Sequence, residues 1–302
     1  MDREEATVAT ELAQRIEVAT SGAATIDTTI PGLRLSWLTT PLPPTSYLYG
    51  PSLCMCLRGG KQIGLSDRSV VHPPGSFLLT AMQMPIIVSI EKASTRAPYV
   101  GAQLALDIDV AREVIGKIDA APVPQDAPGP GMMIGRLTEP LLVALLRLVR
   151  LMETPDDIPV MGDLIQREII YRVASGPSGA WLRDIVRLGS AGHRVARAIA
   201  WLREHYSESL SIETLAREAG MGVSTLHRHF RQFTATSPIQ YQKRLRLHAA
   251  RRLLLTEDVD AATAAVLVGY ESVSQFNREY RRLFGKPPRR DTDSLRLRRD
   301  HL

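Results

Sequence analysis

"ESVSQFNREYRRLFGKPPRRD", residues 271–291, is the stretch on which the reading of the whole chain turns. Phe276, Tyr280 and Phe284 recur four apart, the spacing that puts side chains on one face of a helix, and arginines fill the faces between them. Pro287 and Pro288 then stop the pattern. A second copy lies upstream. "AREAGMGVSTLHRHFRQFTATSP" (216–238) aligns with "AVLVGYESVSQFNREYRRLFGKPP" (265–288), matching Ala216 to Ala265, Gly220 to Gly269, Ser224 to Ser274, Leu226 to Phe276, Arg228 to Arg278, Phe230 to Tyr280 and Pro238 to Pro288. The second copy has one extra residue in its turn. Each copy reads as a small-residue helix, a glycine turn and an arginine-rich helix, so the segment is a repeated helix-turn-helix.

In each copy the glycine supplies a left-handed residue that ends the first helix. The second helix is expected to bury Leu226, Phe230 and Phe233 in copy one, and Phe276, Tyr280 and Leu283 in copy two. Its other face then carries Ser224, Thr225, His227, Arg228 and Arg231, or Ser274, Gln275, Asn277, Arg278, Arg281 and Arg282. These are side chains suited to a DNA major groove: Arg bridges guanine O6 and N7, Asn or Gln pairs with adenine, and Ser, Thr and further arginines hold phosphates. Ser272 with Gln275 makes a capping-box pattern at the start of the second recognition helix. Between the copies, "SPIQYQKRLRLHAARRLLL" (237–255) starts with a Ser cap and Pro at the first helical position. Ile239, Leu245, Ala249 and Leu253 are expected to line one side of this rod. Such a rod would set two recognition helices about one DNA turn apart, roughly 34 Å.

Residues 33–106 read differently. "LRLSWL", "SLCMCL", "KQIGLS", "SFLLT", "PIIVSI" and "YVGAQLAL" are short apolar or alternating runs between turn residues, which suggests strands of a small sandwich or barrel. "RGGK" (58–61) looks like a hairpin turn with Gly59 and Gly60 free to take positive φ. Beyond Asp107 come a helix, a loose stretch from 119 to 135, and two helices in 138–153 and 161–176. Leu141, Leu145, Leu148 and Met152 form an apolar stripe that serves either the core or a dimer surface. The expected architecture is α+β: an N-terminal segment (1–30), a small β-barrel (31–120), a helical dimerisation or linker region (121–188), an all-α DNA-binding domain with two helix-turn-helix motifs (189–291) and a basic tail (292–302).

Composition agrees with that division. From Ser190 onward there are 20 Lys/Arg against 12 Asp/Glu, while residues 1–189 hold 17 against 20, so a basic domain sits on a slightly acidic body. No run of about 18 apolar residues occurs and no basic-then-apolar leader opens the chain, which points to a cytoplasmic protein without a membrane partner.

The repeat resembles that of the AraC/XylS family of transcription regulators, over about residues 193–291, with "VGYESVSQFNREYRRLFGKPPRRD" close to the family's signature. By position, Ser224, His227 and Arg228 resemble the base readers of the first motif, and Ser274, Asn277 and Arg278 those of the second. Gly222 departs from the family pattern, where many members carry a capping Ser; the loss is a few tenths of a kcal/mol, roughly. "PPTSYLYGPSLCMCLRGGKQIGLSD", "PPGSFLLTAMQMPI" and "PYVGAQLALD" resemble the amino-terminal domain of a YqhC-like, aldehyde-responsive branch. The resemblance implies a cupin-like sensor barrel, an unknown small-molecule effector, a homodimer, promoter DNA as double-stranded partner, and RNA polymerase as a partner if the protein is an activator.

Cys54 and Cys56, two residues apart in a strand, point to one face. Cys54 is a candidate for sensing an electrophile or oxidant, against ordinary burial; Tyr47, Tyr49, Arg58 and Lys61 are placed near a ligand pocket by the fold resemblance alone. Lone His72 and the "HRH" of 227–229 are too sparse for a metal site, and no cofactor is expected. Arg147, Arg150, Arg167 and Arg172 suit either an anionic ligand or a solvated helix face. A DNA-linked enzyme is the alternative reading, but two cysteines are too few for the zinc site of an Ada-type methyltransferase, and no nucleophile-elbow or nucleotide-binding fingerprint occurs.

Overall fold

The computed structural model describes residues 3–65, 68–118, 131–257 and 259–299. Helix α1 (Arg3–Thr20) precedes strands β1 (Thr25–Asp27), β2 (Leu33–Leu38), β3 (Leu42–Tyr49), β4 (Ser52–Arg58), β5 (Lys61–Leu65), β6 (Arg68–His72), β7 (Ser76–Thr80), β8 (Met84–Ile90) and β9 (Tyr99–Ala105). Then follow α2 (Ile108–Gly116), β10 (Met132–Arg136), α3 (Glu139–Arg150), α4 (Asp163–Ser175) and α5 (Gly179–Val186). The strands form two antiparallel sheets, ordered β1-β2-β9-β4-β7-β10 and β3-β8-β5-β6. Their inner faces meet, with Cys56 and Tyr99 of the first sheet packed on Ile90 of the second. The sheets do not close, so the expected barrel is an open sandwich.

The "RGGK" turn is not a hairpin. Gly59 takes φ +73° and Gly60 does not take positive φ, and β4 and β5 belong to different sheets, so the turn hands the chain across the sandwich. Strict alternation sorts the first sheet: Leu53, Leu79 and Leu104 share a register row and face the helices, while Cys54, Leu78 and Gln103 form the next row and face inward. The apolar residues of α3, Leu141, Leu145 and Leu148 among them, are buried within this chain as α3 packs on α1 and α4. Arg147, Arg150, Arg167 and Arg172 meet Glu168, Glu11, Glu113 with Asp163, and Glu168 respectively at 2.6–3.1 Å, which explains them without an anionic ligand. Much of the loose 119–135 stretch lies outside the described residues, but its end forms edge strand β10.

The C-terminal half is helical: α6 (Ala191–Glu204), α7 (Ile212–Glu218), α8 (Val223–Thr234), α9 (Pro238–Thr256), α10 (Ala261–Leu267), α11 (Val273–Phe284) and α12 (Pro288–Arg299). Left-handed Gly285, at φ +79°, ends α11 ahead of the prolines, and Pro288 opens α12, with residues 300–302 of the tail outside the described residues. Helix α9, 19 residues and about 28 Å long at 1.5 Å per residue, contacts α6, α8, α10, α11 and α12. Because it is packed from several sides, its burial is not a single stripe: Tyr241, Leu245, Leu247, Ala250 and Leu254 are buried, whereas Ile239 is exposed.

The aligned glycines differ in what they touch. Gly220 has φ +65° with open space around it, while Gly269 has φ +87° and a Cβ there would run into the Ser207 carbonyl. Gly220→Ala should therefore cost about 1–2 kcal/mol for the left-handed backbone alone. Gly269→Ala should cost about 2–5 kcal/mol, because crowding is added. Urea unfolding of the two variants checks this, and equal losses would contradict the close approach at Ser207.

Candidate nucleic-acid interface

Helices α8 and α11 are the second helices of the two motifs. Leu226, Phe230 and Phe233 are fully buried in the first; Phe276 and Tyr280 are fully buried in the second, with Leu283 only partly so. On the outer face Ser224, His227, Arg228 and Arg231 are exposed, as are Ser274, Asn277, Arg278, Arg281 and Arg282. Thr225 and Gln275 are half-buried. The Ser272 hydroxyl accepts from the Gln275 amide nitrogen at 3.3 Å, so half of the capping box forms. The Gln275 side chain does not reach back; it donates to Glu279 at 3.1 Å. Gly222 caps α8 with no side-chain bond.

Buried polar groups that the repeat alignment did not flag hold these helices in place. Glu279 accepts from Lys243 of α9 at 3.0 Å and from the Tyr270 hydroxyl at 2.8 Å. Burial pushes its pKa up, but the bonds from Lys243, Gln275 and Tyr270 outweigh that and hold it low, so the carboxylate stays charged. Asp291 of α12 receives a two-pronged bond from Arg251 at 2.8 and 3.0 Å and the Tyr280 hydroxyl at 2.9 Å. The spacing of Glu279, four residues after Gln275 on a largely aromatic inner face, was the available sequence signal.

The pattern of the AraC-type transcriptional regulator N-terminus matches residues 29–181, and that of a helix-turn-helix domain matches residues 215–293. The chain belongs to the AraC-type transcriptional regulators. ExsA of Pseudomonas aeruginosa, an HTH-type transcriptional regulator, is 30% identical over 165 residues, 55% of this chain and 59% of ExsA. RhaS of Salmonella schwarzengrund, an HTH-type transcriptional activator, is 30% identical over 174 residues, 55% of this chain and 60% of RhaS. The chain thus aligns with about three fifths of these relatives' length. Unsaturated fatty acid bound ToxT from Vibrio cholerae shares the fold, with TM-score 0.56 and 9% identity over 88% of this chain and 94% of ToxT.

The candidates for sensing are not brought together. Cys54 is buried, its hydroxyl neighbour Ser52 is 3.9 Å away, and burial pushes its thiol pKa up, away from the reactive thiolate. Cys56 is pushed up to about 12 for the same reason. Tyr47 is partly exposed beside Tyr49, with ring centres 5.9 Å apart, and Arg58 is exposed at the far end of β4. Among the described residues no cluster of three or more His, Cys, Asp or Glu side chains is placed to hold a metal.

The two halves touch through α5 on α6, through the Gly131 amide, which donates to the Phe233 carbonyl at 2.8 Å, and through the second sheet and the turn before β8. Tyr241 donates to the Gln83 carbonyl at 2.9 Å, Arg244 to the Pro85 carbonyl at 3.2 Å, and His248 bonds the Ser46 hydroxyl at 3.1 Å. Burial, then Arg251 and Arg244, lowers the His248 pKa to about 3; burial, then Lys61, does the same to His72 in the sandwich. Both are held neutral when folded and are free to protonate when unfolded. Their contribution is complete above about pH 6.5 and is lost as pH falls from there towards 3, at about 1.4 kcal/mol per unit for each histidine. Urea unfolding should show stability about 2–3 kcal/mol lower at pH 5.5 than at 7.5. His248→Gln should roughly halve the slope, and an unchanged slope would contradict the placement of His248.

Proposed function

We propose that this chain is a sequence-specific DNA-binding transcription regulator in which α8 and α11 enter successive major-groove segments. The observation that carries the reading is the pair of helix-turn-helix units on one shared helix, each presenting an exposed polar and arginine-rich face opposite a fully buried aromatic one. Ser224, His227 and Arg228 are the base readers of the first unit, flanked by Thr225 and Arg231. Ser274, Asn277 and Arg278 are those of the second, flanked by Gln275, Arg281 and Arg282. The kinship with RhaS supports activation through RNA polymerase. The N-terminal sandwich acts as the sensor that sets DNA affinity, rather than as an enzyme. A homodimer would use the exposed stripe of Val160, Leu164 and Tyr171 on the outer side of the α4 region, since the apolar face of α3 is already covered.

No helix among the described residues is long and apolar enough to cross a membrane. A regulator working on chromosomal DNA belongs in the cytoplasm.

Arg278→Ala should weaken binding to a site selected from a randomised duplex library by about 1–3 kcal/mol, relaxing preference at one base position and leaving folding stability intact. Titration of the selected site and its single-base variants checks this. Unchanged affinity together with unchanged base preference would remove α11 from the groove.

A further inference from the structure

A cavity of about 700 Å³ lies on the helical side of the larger sheet, opposite to the face that carries Cys54. Its floor is Leu53, Leu79 and Leu104, and its walls include Val110 of α2, Ile169 and Val173 of α4 and Leu182 of α5. One side is a π-helical turn, Ile158–Gly162, that runs directly into α4. Such turns forgo the tighter α packing and recur at functional sites. Pro155, Ala105 and Asp163 at its rim are exposed, so the cavity opens to solvent.

The lining is apolar below and carries two carboxylates above, Asp163 ion-paired to Arg167 at 2.9 Å and Asp107 with no basic partner among the lining residues. Asp107 and Asp163 stand at the rim with Gln166, and none of the lining residues is Lys, Arg or His. One oxygen of Asp107 accepts from the Asp109 and Val110 amides; one oxygen of Asp163 accepts from Arg167. Among the described residues, no bond of this kind reaches the second oxygen of either carboxylate, which can receive a donor. An apolar cavity of this size suits one small molecule, and an acidic rim penalises an anion while favouring an amine, ammonium or hydroxyl.

We propose that this cavity is the effector site and that it takes a neutral or cationic apolar molecule carrying a hydrogen-bond donor, not a carboxylate or phosphate ligand. The proposal rests on the reading of the chain as a ligand-controlled DNA binder. Occupancy has a short route to DNA. Leu182 lines the cavity, and on the same helix Ile185 packs so closely on Gly192 of α6 that a Cβ there would come within 3.1 Å of it. Arg112 of α2 also donates to the Val186 carbonyl at 3.2 Å. A ligand that parts α4 from the sheet therefore moves α5 against the first helix of the DNA-binding half.

A matched pair of fluorophores tests the site: N-phenyl-1-naphthylamine, a neutral aromatic amine, and its 8-sulfonate, which has the same body with an anion. The full chain should bind the amine saturably, one per chain, and at least tenfold more tightly than the sulfonate. Asp107→Asn with Asp163→Asn, which keeps the α2 cap, should narrow that ratio. Gly162→Phe should abolish amine binding, since Gly162 has helical backbone angles and a Cβ there meets only Ile158, at 3.7 Å. Val110→Phe is the second filling variant should the first fail to fold. Saturating amine should also change affinity for the selected DNA at least threefold. Amine binding that survives both filling variants, a sulfonate that binds as tightly, or occupancy without effect on DNA would overturn the proposal. A chain that binds no DNA from the randomised library would instead overturn the regulator reading, while the fluorophore titrations would still decide the cavity.

Discussion

The DNA-binding half is organised around the guanidinium of Arg246. From the middle of α9 it donates to the carbonyls of Tyr206 at 2.6 Å, Glu208 at 2.8 Å and Gly269 at 2.7 Å, with a longer bond to Ser207 at 3.3 Å. These carbonyls belong to the turn after α6 and to the tight turn of the second motif, groups with no helical partner of their own. Arg, with five donors in a fixed fork, can satisfy several such oxygens at once. Gln242, one turn earlier, adds a bond to the Glu208 carbonyl at 2.8 Å. Gly269 has no Cβ because that turn must lie against Ser207. One side chain thus fixes the second motif to the connection that leads into the first.

From that constraint the two recognition helices inherit a fixed relation. Helix α9 carries both motifs, Lys243 holds Glu279 of α11, and Arg251 holds Asp291 of α12. The aromatic residues of α11 pack inward, Phe276 on Tyr270 and on Tyr280 with ring centres about 5.5 Å apart. Apart from Val273 at its start, the outward face of α11 is polar. The sandwich touches the same α9 through Tyr241, Arg244 and His248, α5 packs on α6 at Gly192, and the Gly131 amide beside β10 donates to the Phe233 carbonyl of α8 at 2.8 Å.

Sequence pattern made the helical half legible because its signals are local. Helical periodicity and a glycine at positive φ recur at matching places in both copies, and Ser237 and Ser272 mark two helix starts. The inner strands of the sheets were legible for a similar reason: β4, β7 and β9 are nearly continuous apolar runs. The strands that pattern reading missed, β1, β3, β6 and β10, all lie at sheet edges. An edge strand has one hydrogen-bonded neighbour and needs less apolar surface, and β3 even carries Pro43 and Pro44, which an edge tolerates. Long-range partners escaped too. Nothing in the local sequence around Arg246 or Asp291 says which carbonyls or arginine they will meet, and the cavity beside α4 is assembled from segments more than a hundred residues apart. Cys54, singled out by its rarity, is enclosed by the sandwich.

The central claim is that one chain reads two successive major-groove segments with two helices held on α9. Selection from a randomised duplex library, followed by methylation interference on the selected sites, tests it most directly. The account predicts paired blocks of base-specific contact about 10 base pairs apart, centre to centre, with Arg228→Ala erasing one block and sparing the other. A single block, or the loss of both blocks together in that variant with its fold intact, would contradict it.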